Sequence, residues 1–225
     1  MSAALDFVYP PLCLGCGSAR DSSQLLCDRC GPAVQYLDYP ICLRCTSPIP
    51  TGVGCPTCKD SRPLFALGDH TGPLQQMVIA FKFRNVRGVA RWAAEELVAR
   101  HKDRIVATSA QTLVPIPLYP GREYFRGYNQ AELFAEHLAD ALGLEIRLDL
   151  LIRTKHGREQ SRLSALDREK NIKGVFEAVP VESPQRGILI VDDVVTSGAT
   201  VGEAMRTLQA AGHQVVGALA IAHRA

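Results

Sequence analysis

The residues most able to do chemistry lie at opposite ends of the chain. Eight cysteines fall within the first 58 of 225 residues as four C-x-x-C pairs, Cys13/Cys16, Cys27/Cys30, Cys42/Cys45 and Cys55/Cys58, and none follows. One C-x-x-C turn aims two thiolates at a single metal ion, and two such turns complete a tetrahedral zinc site. Ten residues separate Cys16 from Cys27 and nine separate Cys45 from Cys55. That near-repeat suggests two ribbons formed in sequence order, Cys13/Cys16/Cys27/Cys30 and Cys42/Cys45/Cys55/Cys58, although spacing alone leaves open a crossed pairing of the first pair with the third. A disulfide framework needs an oxidising compartment, and Met1–Pro10 has neither a basic start nor a cleavable apolar core. A redox C-x-x-C normally follows a strand and does not recur four times in series. Four thiolates leave no open coordination position, so the two zinc ions are expected to be structural. They would supply folding free energy that a segment poor in large apolar side chains lacks.

The second constellation is Ile188-Leu189-Ile190-Val191-Asp192-Asp193-Val194-Val195-Thr196-Ser197-Gly198-Ala199-Thr200. Four apolar residues make a buried strand, two carboxylates emerge at its end, and a loop of small and hydroxyl residues feeds a helix. Open α/β sheets bind ligands at such strand ends. The Thr196–Thr200 loop can turn backbone N–H groups and hydroxyls toward one phosphate, while Asp192 and Asp193 are suited to accept hydrogen bonds from adjacent sugar hydroxyls. Together they describe a site for a ribose 5-phosphate.

Positioning these groups requires a sheet and helices. The pattern predicts strands at Leu64–His70, Thr112–Pro117, Ile146–Ile152, Gly187–Asp193 and Val215–Ala222. It predicts helices at Pro73–Phe83, Val89–His101, Ala131–Ala141 and Thr200–Ala211, the third stopped by Gly143. Trp92, the only tryptophan, is assigned to core packing. Strands alternating with helices predict a mainly parallel sheet covered on both faces. The organisation expected is a double ribbon over 1–60 and one α/β domain over 61–225.

The formal charge of +2 gives no global reason to expect a polyanion partner. Residues 1–60 carry four basic and five acidic side chains, a balance of −1 that falls to roughly −5 once eight thiolates hold two Zn²⁺. Such a module is a poor phosphate binder and better suited to docking or scaffolding. The strongest basic stretch is 153–173, with seven Lys/Arg against three acids. No apolar run approaches the ~20 residues of a membrane span, so the reading is a soluble cytoplasmic protein without membrane insertion.

Residues 188–200 resemble the phosphoribosyl diphosphate (PRPP) motif of type I phosphoribosyltransferases. The wider chain resembles the ComF/GntX family of phosphoribosyltransferase-like proteins, associated with competence for DNA uptake. The likeness runs through the four C-x-x-C pairs, Phe81-Lys82-Phe83, Val114-Pro115-Ile116-Pro117-Leu118, Arg126-Gly127-Tyr128-Asn129-Gln130-Ala131-Glu132, Gln160-Ser161-Arg162-Leu163-Ser164, Arg168, Asn171 and Gly174-Val175-Phe176. It implies a type I phosphoribosyltransferase-like α/β fold with a small N-terminal double zinc ribbon. By that resemblance Asp192 and Asp193 hold the ribose hydroxyls, and Thr196, Ser197, Gly198, Ala199 and Thr200 hold the 5-phosphate. Mg²⁺ accompanies PRPP, and Lys82, Arg122, Arg126, Arg158 and Arg162 are candidate diphosphate and loop contacts. Three readings compete for 153–173: a loop closing over the diphosphate, a backbone-binding patch for single-stranded nucleic acid together with Lys82, Arg84, Arg87 and Arg91, or a solvated surface. For the whole chain the alternatives are a phosphoribosyltransferase with an unknown acceptor, a PRPP-binding regulator without turnover, a single-stranded-DNA-binding factor working with DNA-uptake proteins, and a purely structural zinc protein, which leaves the PRPP motif unexplained.

Overall fold

The computed structural model describes residues 11–58, 62–119, 127–154 and 172–224. Its elements, in chain order, are β1 (Ile41–Cys42), β2 (Pro63–Asp69), α1 (Gly72–Phe83), α2 (Gly88–Ala107), β3 (Thr112–Pro115), α3 (Gln130–Leu142), β4 (Glu145–Ile146), β5 (Leu151–Arg153), β6 (Phe176–Ala178), β7 (Ile188–Val195), α4 (Ala199–Ala210) and β8 (Val215–His223).

Six strands form the main sheet in the order β1-β2-β8-β7-β3-β4. β1 runs antiparallel to β2, and every other neighbour is parallel. The four central strands therefore deliver their C-terminal ends to one edge. Their apolar residues alternate between faces as the two-residue pleat requires. Leu189 and Val191 of β7 join a core with α1, α2 and α3, whereas Ile188 and Ile190 join a second core with α4 and the separate antiparallel β5–β6 pair. Trp92 is half-buried against the first core.

The chain ends its helices by local means. Asn129 caps α3, its side chain accepting from the Ala131 N–H, and Gly143 closes it in the left-handed region at φ 68. At α1 a proline occupies the first turn, where its missing N–H costs nothing.

The mainly parallel sheet between helices agrees with the sequence, with four differences. α2 runs on from His101 to Ala107, because its last turns keep only Ile105 buried among charged residues and so lose their apolar spacing. The strand predicted over Ile146–Ile152 is two strands in two sheets. Arg147 pairs with Asp149 at 2.8 Å in the turn between β4 and β5. β6 is three residues long and was not predicted. Nor was β1, a two-residue strand from the ribbon segment that extends the main sheet.

The ribbons are thus fastened to the sheet. Tyr36 bridges Gly68 of β2, and the Gln35 carbonyl accepts from Asp69 N–H at 2.9 Å. A Cβ at Gly68 would stand 2.4 Å from the Gln35 oxygen, so only glycine permits this approach. Arg104 of α2 donates to Pro50 O at 2.9 Å and lies over Tyr39, while Arg100 lies over Tyr36.

Candidate functional site

The cysteines gather in sequence order, not crossed. Cys13, Cys16, Cys27 and Cys30 form one cluster and Cys42, Cys45, Cys55 and Cys58 the other, with all four sulfurs of each within 4.8 Å of one another. Cys16 and Cys27 Sγ are 3.7 Å apart, and Cys45 and Cys55 Sγ 3.6 Å. A tetrahedron with metal–sulfur bonds of about 2.3 Å has an edge of about 3.8 Å, so both sets fit zinc.

The two knuckles repeat bond for bond. Cys13 N–H donates to Ser18 O and Gly17 N–H to Cys13 O; Cys42 N–H donates to Ser47 O and Thr46 N–H to Cys42 O. Gly17 and Thr46 both take positive φ, 75 and 57. Cys16 and Cys45 are drawn down to about 6, first by the Ser18 and Ser47 hydroxyls. Cys30 and Cys58 are pushed up to about 12, Cys30 first by burial and Cys58 first by Cys45. Thiols forced this close ionise together only around a cation.

At the other centre, β7 carries its apolar run toward the sheet edge, the two carboxylates follow it, and Val194 and Val195 complete the strand; the pleat sends the carboxylates to opposite faces. Asp193 points toward the helical face and meets Lys82 from the last turn of α1, Nζ to Oδ1 2.8 Å. Phe81, the residue before, is fully buried and fixes that turn. Asp192 is half-buried on the other face and accepts from Asp193 N–H at 2.8 Å. It is pushed up to about 7, by burial first and then by the Asp193 charge, against the pull of Lys82 and Arg153. Beyond it, Thr196–Gly198 turns the chain into α4, with Gly198 at φ 72 and its carbonyl accepting from Gly202 N–H.

Sequence reasoning missed several residues here. His70 follows β2; its N–H donates to His223 O at 2.7 Å, and its buried Nδ1 has no partner among the described residues. Burial lowers its pKa, with Lys82 and Arg224 acting in the same direction. Arg224 follows β8, its N–H bonded to Val195 O. Position at the C-terminal end of a parallel strand was the signal available for both. Glu203 of α4 accepts from Gly174 N–H at 2.5 Å, and Thr154 N–H donates to Val175 O, so both ends of the basic stretch are tied down. Tyr128 donates to the Phe81 carbonyl, and Asn129 Nδ2 donates to Ile116 O at 3.1 Å. These bonds account for two of the quoted motif residues as struts between α1, β3 and α3.

Of the candidate diphosphate contacts, Lys82 sits on Asp193, whereas Arg122, Arg126, Arg158 and Arg162 lie outside the described residues. In the basic group around α1 and α2, Arg87 lies over Tyr128 and Arg91 pairs with Glu95. Among the described residues, no helix is long and apolar enough to cross a membrane.

Fold and site together define a phosphoribosyl transferase domain joined to a double zinc ribbon. Family models agree, matching a double zinc ribbon domain over residues 4–59 and a phosphoribosyl transferase domain over 129–225. The chain is 30% identical over 211 residues to Competence protein F of Haemophilus influenzae, covering 89% of this chain and 91% of that protein. It is 31% identical over 204 residues to DNA utilization protein YhgH of Salmonella typhimurium, covering 88% and 83%. A shorter match, 36% over 102 residues, reaches 44% of this chain and 42% of Competence protein ComFC of Streptococcus pneumoniae. The chain belongs to the family of Competence protein F and YhgH.

Proposed function

We propose that the edge formed by Asp192, Asp193 and Thr196–Thr200 binds PRPP with Mg²⁺, and that the protein transfers the phosphoribosyl group to an acceptor in the service of DNA uptake or utilisation in the cytoplasm. The observation that carries this is the order of groups at the end of β7: two carboxylates, then a hydroxyl-rich turn leading into α4. Asp192 and Asp193 would take the ribose hydroxyls, and the Thr196–Thr200 backbone and hydroxyls the 5-phosphate. Mg²⁺, when bound, would neutralise the departing diphosphate. Lys82 holds Asp193 in place on the helical face, and the anchored sugar leaves C1 open to attack from the side opposite the leaving group. No covalent protein nucleophile is required. The zinc sites are assigned to structure, and we keep 1–60 and 61–225 as the modular division.

Titration calorimetry with PRPP and Mg²⁺ tests the reading. Binding by the wild type and its loss in Asp192→Ala/Asp193→Ala supports it; unchanged binding in that variant places the ligand elsewhere. Diphosphate release across a panel of nucleobases and other nucleophiles, corrected for PRPP hydrolysis, separates a transferase from a PRPP-binding regulator. The net charge of residues 153–173 favours a second reading, single-stranded DNA binding. Absence of a salt-dependent affinity for single-stranded DNA in the wild type, or no change on removing Arg158, Arg162 and Arg168, counts against it.

A further inference from the structure

The turn after β7 does not face open solvent. A cleft of about 460 Å³ separates it from the second zinc knuckle. Leu43, Arg44 and Thr46 line one wall, and Thr196, Ser197 and Gly198 the other, with Arg224 at the end of β8. The walls touch: a Cβ at Gly198 would stand 3.3 Å from the Leu43 carbonyl oxygen. The volume lies within the range of small-ligand sites and exceeds what a bare phosphate needs.

Its charge selects the ligand. Both arginines lining the cleft are exposed, no carboxylate lines it, and among the described residues neither arginine pairs with one. Two guanidinium groups with three hydroxyls, from Thr46, Thr196 and Ser197, form a surface for a phosphorylated ligand.

The first ribbon provides an internal control. Its knuckle reads Cys13-Leu14-Gly15-Cys16 where the second reads Cys42-Leu43-Arg44-Cys45. A Cβ at Gly15 would lie 2.9 Å from Cys30 Sγ and 3.2 Å from Pro73, so that knuckle is packed against α1 with no room for a side chain. At the matching position of the second knuckle the chain places an arginine, and it places it beside the phosphate turn. The Arg44 N–H donates to Cys42 Sγ at 3.3 Å, and Cys42 is a sheet residue paired with Pro63. The metal knuckle therefore fixes the backbone that presents Arg44.

We infer that Arg44 is a phosphate-binding residue of the ribose-phosphate site, so that the second zinc ribbon forms one wall of it. The inference rests on the PRPP reading above and deepens it. Binding at one site and integrity of the other are then linked in both directions: ligand holds the knuckle closed, and loss of the second zinc weakens the ligand.

The test uses the full zinc-loaded chain, with ribose 5-phosphate and PRPP–Mg²⁺ as probes and a single-stranded oligonucleotide as a separate arm. A charge-assisted contact of about 1.5–3 kcal/mol corresponds to a loss of about 10- to 100-fold in affinity. Arg44→Ala should lose that much for both sugar phosphates, keep two zinc per chain and leave oligonucleotide affinity unchanged. Arg44→Lys should lie between, and Arg29→Ala on the first ribbon should match the wild type. Ribose 5-phosphate should slow release of the second zinc to a thiol reagent in the wild type but not in Arg44→Ala. If Arg44→Ala binds both sugar phosphates as the wild type does while Asp192→Ala/Asp193→Ala does not, the inference fails and the PRPP site stands. A loss confined to the oligonucleotide also overturns it. If the wild type binds neither sugar phosphate, the PRPP reading fails and takes the inference with it.

Discussion

The two ribbons repeat each other's knuckle hydrogen bonds but are used differently. Cys13 and Leu26 of the first, with Val34 just beyond it, belong to the large core under α1, α2 and α3. The second keeps a small cluster of its own, Cys42, Ile49 and Cys55, gives the smaller main core Ile41 with Leu43 packed against it, and offers an edge strand and the wall of a cleft. Gly15 and Arg44, at the same position of the repeat, condense the difference into one side chain. Each ribbon also goes with one face of the sheet: the first with the dense helical face, the second with the face carrying Asp192 and α4. If Arg44 binds phosphate as inferred, a duplicated metal motif serves stability in one copy and recognition in the other.

The largest test removes each ribbon in turn. Cys13→Ser/Cys16→Ser should lower the midpoint of thermal unfolding by about 10 °C or more, because a zinc site and part of the main core fail together. Cys42→Ser/Cys45→Ser should lower it by roughly half as much and also reduce sugar-phosphate affinity. Equal drops in both would erase the distinction.

Single apolar residues give the next effect. Leu26→Ala should cost about 2–4 kcal/mol in global unfolding. Ile49→Ala should leave that midpoint nearly unmoved and instead raise the thiol reactivity of Cys42, Cys45, Cys55 and Cys58, since its neighbours form a local unit.

Exchanging the knuckle residue sharpens the comparison further. Gly15→Ala should cost about 1–3 kcal/mol by overpacking against Cys30 and Pro73. Arg44→Gly should change chemical-denaturation stability by less than about 0.5 kcal/mol while losing sugar-phosphate affinity.

The smallest effect is a pair of opposite pH slopes, one from each face. On the face of the second ribbon, Asp192 has its folded pKa raised to about 7, so it favours the folded state at low pH and loses that contribution as pH rises from about 4 to 7. Without ligand, Asp192→Asn should therefore be more stable than the wild type at pH 8, by about 1 kcal/mol or roughly 3 °C given its partial exposure, with no gain at pH 4. On the helical face, His101 is fully buried against Phe65 and lowered to about 4, first by burial. It must gain a proton on unfolding, so it costs stability as pH falls from 6.5 toward 4. His101→Leu should flatten that acid slope by about 1 kcal/mol, read from melts at pH 7 and 5.

Much of this was legible in the chain. The apolar run of β7, the carboxylates after it and the cysteine pairs are local patterns, and the helices announce themselves through spacing and, for α3, through Gly143 as its stop. What escaped depends on partners distant in sequence. A two-residue β1 has no pattern of its own and exists because Pro63 and Leu64 lie beside it. The near-repeat of the cysteine pairs suggests their grouping in sequence order, and only the meeting of the turns in space excludes the crossed alternative. A ribbon arginine reads as a solvated charge until the fold carries the turn after β7 up to Arg44. Likewise the pleat tells that Asp192 and Asp193 diverge, but only the packing of α1 tells which of them meets Lys82.

That lysine has a consequence for how an anion reaches the sheet edge. Two bare carboxylates at the mouth would repel a phosphorylated sugar before any hydrogen bond formed. Instead Lys82 balances Asp193, and burial pushes Asp192 up to about 7, so a phosphorylated sugar bound as proposed would meet less negative charge than two free carboxylates present. Full negative charge on Asp192 would then develop after arrival, when the sugar hydroxyls are at hand to donate hydrogen bonds to it.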